Sequence, residues 1–156
     1  MSTDPILTPS QRDFLGSARR AVLATIAPDG RPRLVPICFV LDEGSPVVYT
    51  PLDEKPKTVG DPRDLARVRD VMRDPRVSVL VDRWDEDWAR LAWLRCLGTA
   101  SLLHPSAFGE HGVAVAALRL KYAEYASHRL EIRPIIRIAL LRATSWGEIG
   151  NETARA

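Results

Sequence analysis

Two of the three lysines in this 156-residue chain, Lys55 and Lys57, stand two positions apart in a sequence that otherwise carries its positive charge on 19 arginines. Ammonium groups in that setting, with Arg33 and with Arg67 or Arg69 behind them, can hold a phosphate through charge-assisted hydrogen bonds. A blander reading stays open, in which the two lysines are solvated loop charges that balance Asp53 and Glu54. The histidines offer less. His104, His111 and His128 are spread out, with glycine and proline between the first two, so no metal site is expected. Asp85-Glu86-Asp87 reads as a solvated turn. The chain has no GxGxxG after a strand, no GxxxxGK[ST] and no GxSxG, which leaves a dinucleotide fold, a P-loop and a hydrolase elbow without support.

The elements that must position these residues can be read from period and turn chemistry. Thr8-Pro9-Ser10-Gln11 is a capping box with proline at the first helical position, so a helix is expected over about Pro9 to Ala18, burying Phe14 and Leu15. Arg20 to Ala27 is a β-type run, Asp29-Gly30 a hairpin signal, and Arg33 to Leu41 the answering strand. After Asp42-Glu43-Gly44-Ser45, a strand over Val47 to Thr50 completes an expected three-strand meander. That meander would put Arg33 and the lysines at one end of a barrel, beside a helix N-terminus. Pro51 to Pro62 is a loop. A helix over about Arg63 to Arg73 presents Leu65, Val68 and Val71 or Met72 on one face, and Pro75 enforces its end. Arg76 to Val81 alternates as a strand. Trp88 to Leu103 is read as one bent strand with Gly98 at the bend or bulge. A helix over Val113 to Tyr122 has Val113, Ala116, Ala117 and Leu120 on one face, and Ile135 to Thr144 is a last strand. The expected domain is single and spans 1–156, with its ordered core over about 8–147 and a tail from 148.

Consecutive hairpins and strands that do not alternate with helices favour a mainly β, small antiparallel barrel with helices packed on it. Hydrophobic residues make up 46% of the chain and charged residues 27%, which is globular and excludes wholesale disorder. The formal net charge of +2 makes no electrostatic case for nucleic acid. No apolar run nears the roughly 18 residues of a membrane span. MSTDPILTPS lacks a secretory pattern and Cys38 and Cys96 form no CxxC, so both read as reduced core thiols in a cytoplasmic protein.

The order LATIAPDGRPRLVPICFVLDEG, VVYTPLDEKPK, ARVRDVMRDPRVSVLVDRWDEDWARLAWLRCLGTASLL resembles the pyridoxamine 5′-phosphate oxidase-like family of flavin-binding split β-barrels, over about residues 8 to 147. The Lys-Pro-Lys spelling and the DEDWARLAWLR stretch are most similar to the actinobacterial branch that uses the deazaflavin coenzyme F420. The resemblance implies a six-stranded antiparallel split barrel of the FMN-binding type. It also implies a homodimer with the cofactor at the subunit interface. Arg33, Leu34, Val35 and Pro36 match the strand flanking the flavin phosphate and ring. Tyr49 and Thr50 match the strand end near the ring edge, and Lys55, Pro56 and Lys57 the phosphate-binding loop. Trp93 falls near the place where the oxidases carry a ring-contacting Gln, and Trp88 near an aromatic offered by the partner subunit. The expected activity is hydride transfer between F420, or alternatively FMN, and a small organic acceptor. A non-catalytic flavin or deazaflavin carrier is the other reading.

Overall fold

The computed structural model describes residues 4–53, 60–107 and 109–150. Three helices, α1 (Pro9–Ser17), α2 (Ala66–Arg73) and α3 (Glu110–Lys121), flank seven strands: β1 (Ala21–Ile26), β2 (Pro32–Ile37), β3 (Val40–Leu41), β4 (Val47–Pro51), β5 (Arg76–Arg83), β6 (Ala92–Leu103) and β7 (Ile135–Gly147). All pair antiparallel in one sheet of order β2-β1-β5-β6-β7-β4-β3. The outermost strands of that order, β2 and β3, are consecutive in the chain. Only three residue steps separate Ile37 from Val40, and an extended chain covers at most about 11 Å in that many. The sheet must therefore curl until its two edges approach, and the result is the expected antiparallel split barrel.

Alternation along the strands fills the inside of the curl. Leu23, Val48, Val79, Val81, Leu94, Ile136 and Ile138 form its core with Phe39, Leu15 and Val68. All five residues of β4 are buried, because its other face meets a second cluster. There Val47 and Tyr49 pack with Ala114, Val115 and Leu118 of α3 and with Tyr122, Tyr125 and Leu130. α1 starts at the expected capping box, with Thr8 and Gln11 bonding each other's backbone N–H.

The three-strand meander is not formed. The run expected as one strand over Arg33 to Leu41 divides at Cys38-Phe39 into β2 and β3, which raises the strand number to seven. β4 pairs with β7 and β3, not with the strand that carries Arg33. The physical reason is a side chain from far along the chain. The Phe39 N–H donates to the Tyr122 hydroxyl at 3.0 Å, and that hydroxyl lies 3.0 Å from the Phe39 carbonyl oxygen. Phe39 thus satisfies its backbone without a neighbouring strand.

α3 also turns the other way. His111, Ala114, Val115 and Leu118 face inward, while Val113 and Leu120 of the expected face are exposed. Apolar residues occur on both faces of this helix, so their period does not select one. Two boundaries move as well: Trp88–Arg90 is a 3-10 turn before β6, and a 3-10 turn at Pro62–Asp64 precedes α2. On α2 the buried choice is Val71, not Met72. Packing continues past Gly147, since Ile149 lies against the core. Of the tail expected from 148, residues 151–156 fall outside the described residues.

The bulge expected at Gly98 is present. β6 and β7 slip register between Leu97 and Gly98. A Cβ there would sit 2.8 Å from both the Ala139 carbonyl oxygen and Ile138 Cγ2. Gly98→Ala is expected to cost about 1–3 kcal/mol by overpacking, read as a lower urea midpoint at unchanged m-value.

Candidate functional site

The hairpin β1–β2 places Thr25 opposite Arg33, both at inward positions of strands whose other inward residues are apolar. Two polar side chains there need a partner, and Asp70 of α2 supplies it. The Asp70 carboxylate is only 2% exposed. Its Oδ2 accepts from Thr25 Oγ1 at 2.7 Å and from Arg33 Nε at 2.7 Å, while Oδ1 accepts from Arg73 Nη2 at 3.3 Å. Burial alone would raise this carboxyl, but the bonds from Arg33, Thr25 and Arg73 outweigh it and hold it below the usual carboxylate range. Arg33 is 40% exposed. Its two terminal nitrogens have no hydrogen-bond partner among the described residues, so the fork remains available.

About one turn earlier on α2, Arg67 is half-buried and its Nε has no partner among the described residues. Burial pushes its guanidinium down, with Asp53 and Tyr125 acting the other way. The Asp53 carboxylate is buried and accepts from the Tyr125 hydroxyl at 2.8 Å. Of the two arginines weighed behind the lysines, Arg67 is thus the one tucked against the fold, while Arg69 is exposed. Lys55, Pro56 and Lys57 lie outside the described residues. In the sequence they follow Asp53 after Glu54.

On the other side of β2, Leu34 is 66% exposed and Pro36 is exposed as well. β2 ends the sheet order, where a strand carrying prolines without an N–H is tolerated. Leu34, Val22, Ala24, Leu80, Trp93 and Arg95 line an open cleft of about 530 Å³. A neighbouring cleft shares its Ala24 and Ser78 and adds Leu97 and Leu141. The Arg95 guanidinium lies 5.7 Å from the centroid of Trp93, which pairs with Asp82 and Trp146. Trp88 is exposed on the 3-10 turn before β6.

Tyr49 and Thr50 are buried on β4, across the seam where the sheet edges approach. The Tyr49 hydroxyl donates to Glu110 Oε1 at 2.8 Å, and Arg137 Nε donates to the same oxygen at 2.5 Å. Burial and the Glu110 carboxylate push the phenol up, so at neutral pH it stays protonated and committed to Glu110. Among the described residues no three His, Cys, Asp or Glu side chains are grouped to hold a metal ion. His111 Nε2 is engaged with the Arg133 carbonyl oxygen at 2.7 Å. Cys96 is buried, and burial raises its thiol to about 11.

The residues that sequence reasoning missed are Thr25 and Asp70. The signal for them lay in the hairpin: two polar residues at directly opposed inward positions call for a buried counter-charge. No local pattern could have said that α2 would provide it.

A pyridoxamine 5′-phosphate oxidase pattern matches residues 7–147, and the chain belongs to that family. The fold recurs in a conserved hypothetical protein, Rv2991, of Mycobacterium tuberculosis, at TM-score 0.69 and 22% identity over 99% of each chain. It recurs also in an FAD-binding protein of Mesorhizobium loti, at TM-score 0.60 and 19% identity over 85% of this chain and 88% of that one. The heme storage protein HutZ of Vibrio cholerae matches at TM-score 0.66 and 16% identity over 94% of this chain and 98% of that one. Among the described residues, no helix is long and apolar enough to cross a membrane.

Proposed function

We propose that the protein is an F420-dependent oxidoreductase that moves a hydride between the deazaflavin and a small organic acceptor. The observation that carries this reading is the cationic cluster beside α2. In a chain of this family, Arg33 keeps both terminal nitrogens unpaired among the described residues while its Nε is held by Asp70 of α2, and Arg67, about one turn before Asp70 on that helix, has a buried Nε with no partner among the described residues. A buried donor without a partner is costly in a native fold, and a phosphate oxygen would satisfy it. The donor set therefore fits a phosphorylated cofactor.

When bound, the cofactor supplies the hydride chemistry. The chain supplies binding and exclusion of water. Arg33, Arg67, Lys55 and Lys57 hold the phosphate, with Pro56 standing between the two lysines in the sequence. Leu34 and Pro36 offer an apolar wall and Val35, whose side chain packs against the core, offers edge backbone for a planar ring, with Tyr49 and Thr50 bounding it from across the seam. Trp93, near the Gln position of the oxidases, narrows the ring slot. In this reading the exposed apolar clefts around Leu34, Leu80, Leu97 and Leu141 are covered by a second copy, whose Trp88 closes the site.

Absorption and fluorescence titration with F420 and FMN tests the assignment. Micromolar or tighter binding of F420 with weaker binding of FMN is expected. FMN binding equal to or tighter than that of F420 would reassign the chain to FMN, and failure of both to bind would overturn the site. A bound cofactor that exchanges no hydride with any acceptor would mark a carrier. Light scattering at micromolar concentration should report twice the 17.4 kDa chain mass.

A further inference from the structure

A guanidinium has two ways to meet a carboxylate. End-on bidentate pairing consumes both terminal nitrogens and side-on pairing one of them, whereas a single bond through Nε leaves both free. Arg33 uses the second way: Nε donates to Asp70 Oδ2 at 2.7 Å, and among the described residues neither terminal nitrogen has a partner. The carboxylate is itself pinned by Thr25 of β1 on Oδ2 and by Arg73 of its own helix on Oδ1. Arg73 is in turn tied to β1 by a bond from its Nη2 to the Ile26 carbonyl oxygen. A long, rotamer-rich side chain is thereby held in one orientation before any ligand arrives.

We propose that Asp70 is a positioning residue for cofactor binding: it fixes Arg33 through Nε so that both terminal nitrogens are pre-ordered toward the phosphate. This rests on the reading of Arg33 as a phosphate contact. Freezing an arginine usually detracts from affinity when it happens on binding, and ordering it beforehand removes that cost. The competing role for Asp70 is purely architectural, a staple of α2 to the β1–β2 hairpin. The two roles differ in what happens once Arg33 is gone. A staple matters equally with or without it, whereas a positioning group has nothing left to position.

The test is a double-mutant cycle on binding of F420 and of FMN, followed by fluorescence in the full-length protein, with Asp70→Asn, Arg33→Ala and the pair. Asp70→Asn is expected to weaken binding of the better cofactor about tenfold in the Arg33 background and to change it less than twofold in the Arg33→Ala background. An equal loss in both backgrounds would overturn the proposal and leave Asp70 a staple. Should Arg33→Ala bind like wild type, the phosphate reading of Arg33 falls, and the proposal falls with it for that separate reason. Arg33→Lys covers the case in which Asp70→Asn does not fold. A single ammonium cannot bond Asp70 through an inner nitrogen and still present two outer ones, so Lys should lose most of what Ala loses. Wild-type affinity in Arg33→Lys overturns the positioning role even with Arg33→Ala impaired.

Discussion

Lys57→Ala is expected to weaken F420 binding about tenfold to a hundredfold while leaving the fold intact. A charge-assisted contact to a phosphate is worth on the order of 1.5–3 kcal/mol, which converts to that range of affinity. Four positions before Lys57 in the sequence, the Asp53 carboxylate is buried against the Tyr125 hydroxyl and interacts electrostatically with Arg67. Folding should change by no more than about 0.5 kcal/mol, the usual effect of a surface-loop substitution. Lys57→Arg should restore only part of the loss, because a planar fork does not sit where a compact ammonium did. Rising salt should erode wild-type affinity more steeply than that of the Ala variant. A solvated loop lysine predicts the opposite, identical titrations for both proteins. That outcome would remove the phosphate from this loop.

The largest loss of stability is expected at the seam of the barrel. Phe39 is fully buried, and the Lys121 Nζ lies 4.0 Å from its ring centroid without a hydrogen-bond partner among the described residues. Burial lowers that ammonium to about 8, which makes the ring face its compensating neighbour. Phe39→Ala should cost about 3–5 kcal/mol for the lost burial and the cavity left behind. Phe39→Leu keeps much of the volume without the π face, so it should cost less. Its remaining deficit should shrink when Lys121 is changed to Met, since the charge that needs the ring is then gone. Urea unfolding of the four proteins reads this directly, and a Phe39→Ala midpoint within error of wild type would show that the seam does not rest on this ring.

Helix α1 and the Asp29-Gly30 turn are written in short stretches of chain, because a cap or a tight turn is decided by residues a few positions apart. The same holds for the bulge at Gly98 and for the buried strand faces, where period 2 against an apolar interior leaves one choice of register. The family was legible too, since the order of its segments survives at low identity. Long-range partners were not legible. The Arg33 to Leu41 run looks like one strand, and only Tyr122, more than eighty residues later, reveals why it divides at Phe39. The inward face of α3 could not be read where both faces are apolar.

The candidate site divides along the same line. The Lys55–Lys57 pair stands out by residue type and Arg33, one of 19 arginines, by its place on the answering strand of the hairpin, so the sequence by itself nominated these charges for a phosphate. Only the tertiary structure decided how Arg33 is held, because Asp70 is neither its neighbour in the chain nor marked by any period. Packing α2 across the β1–β2 hairpin buries that carboxylate, and a buried charge must find partners. The partners it finds are Thr25, Arg73 and the inner nitrogen of Arg33. Curling of the sheet, enforced by the three steps between β2 and β3, then sets Arg33 and Tyr49 on opposite sides of one seam, a relation no pattern along the chain encodes.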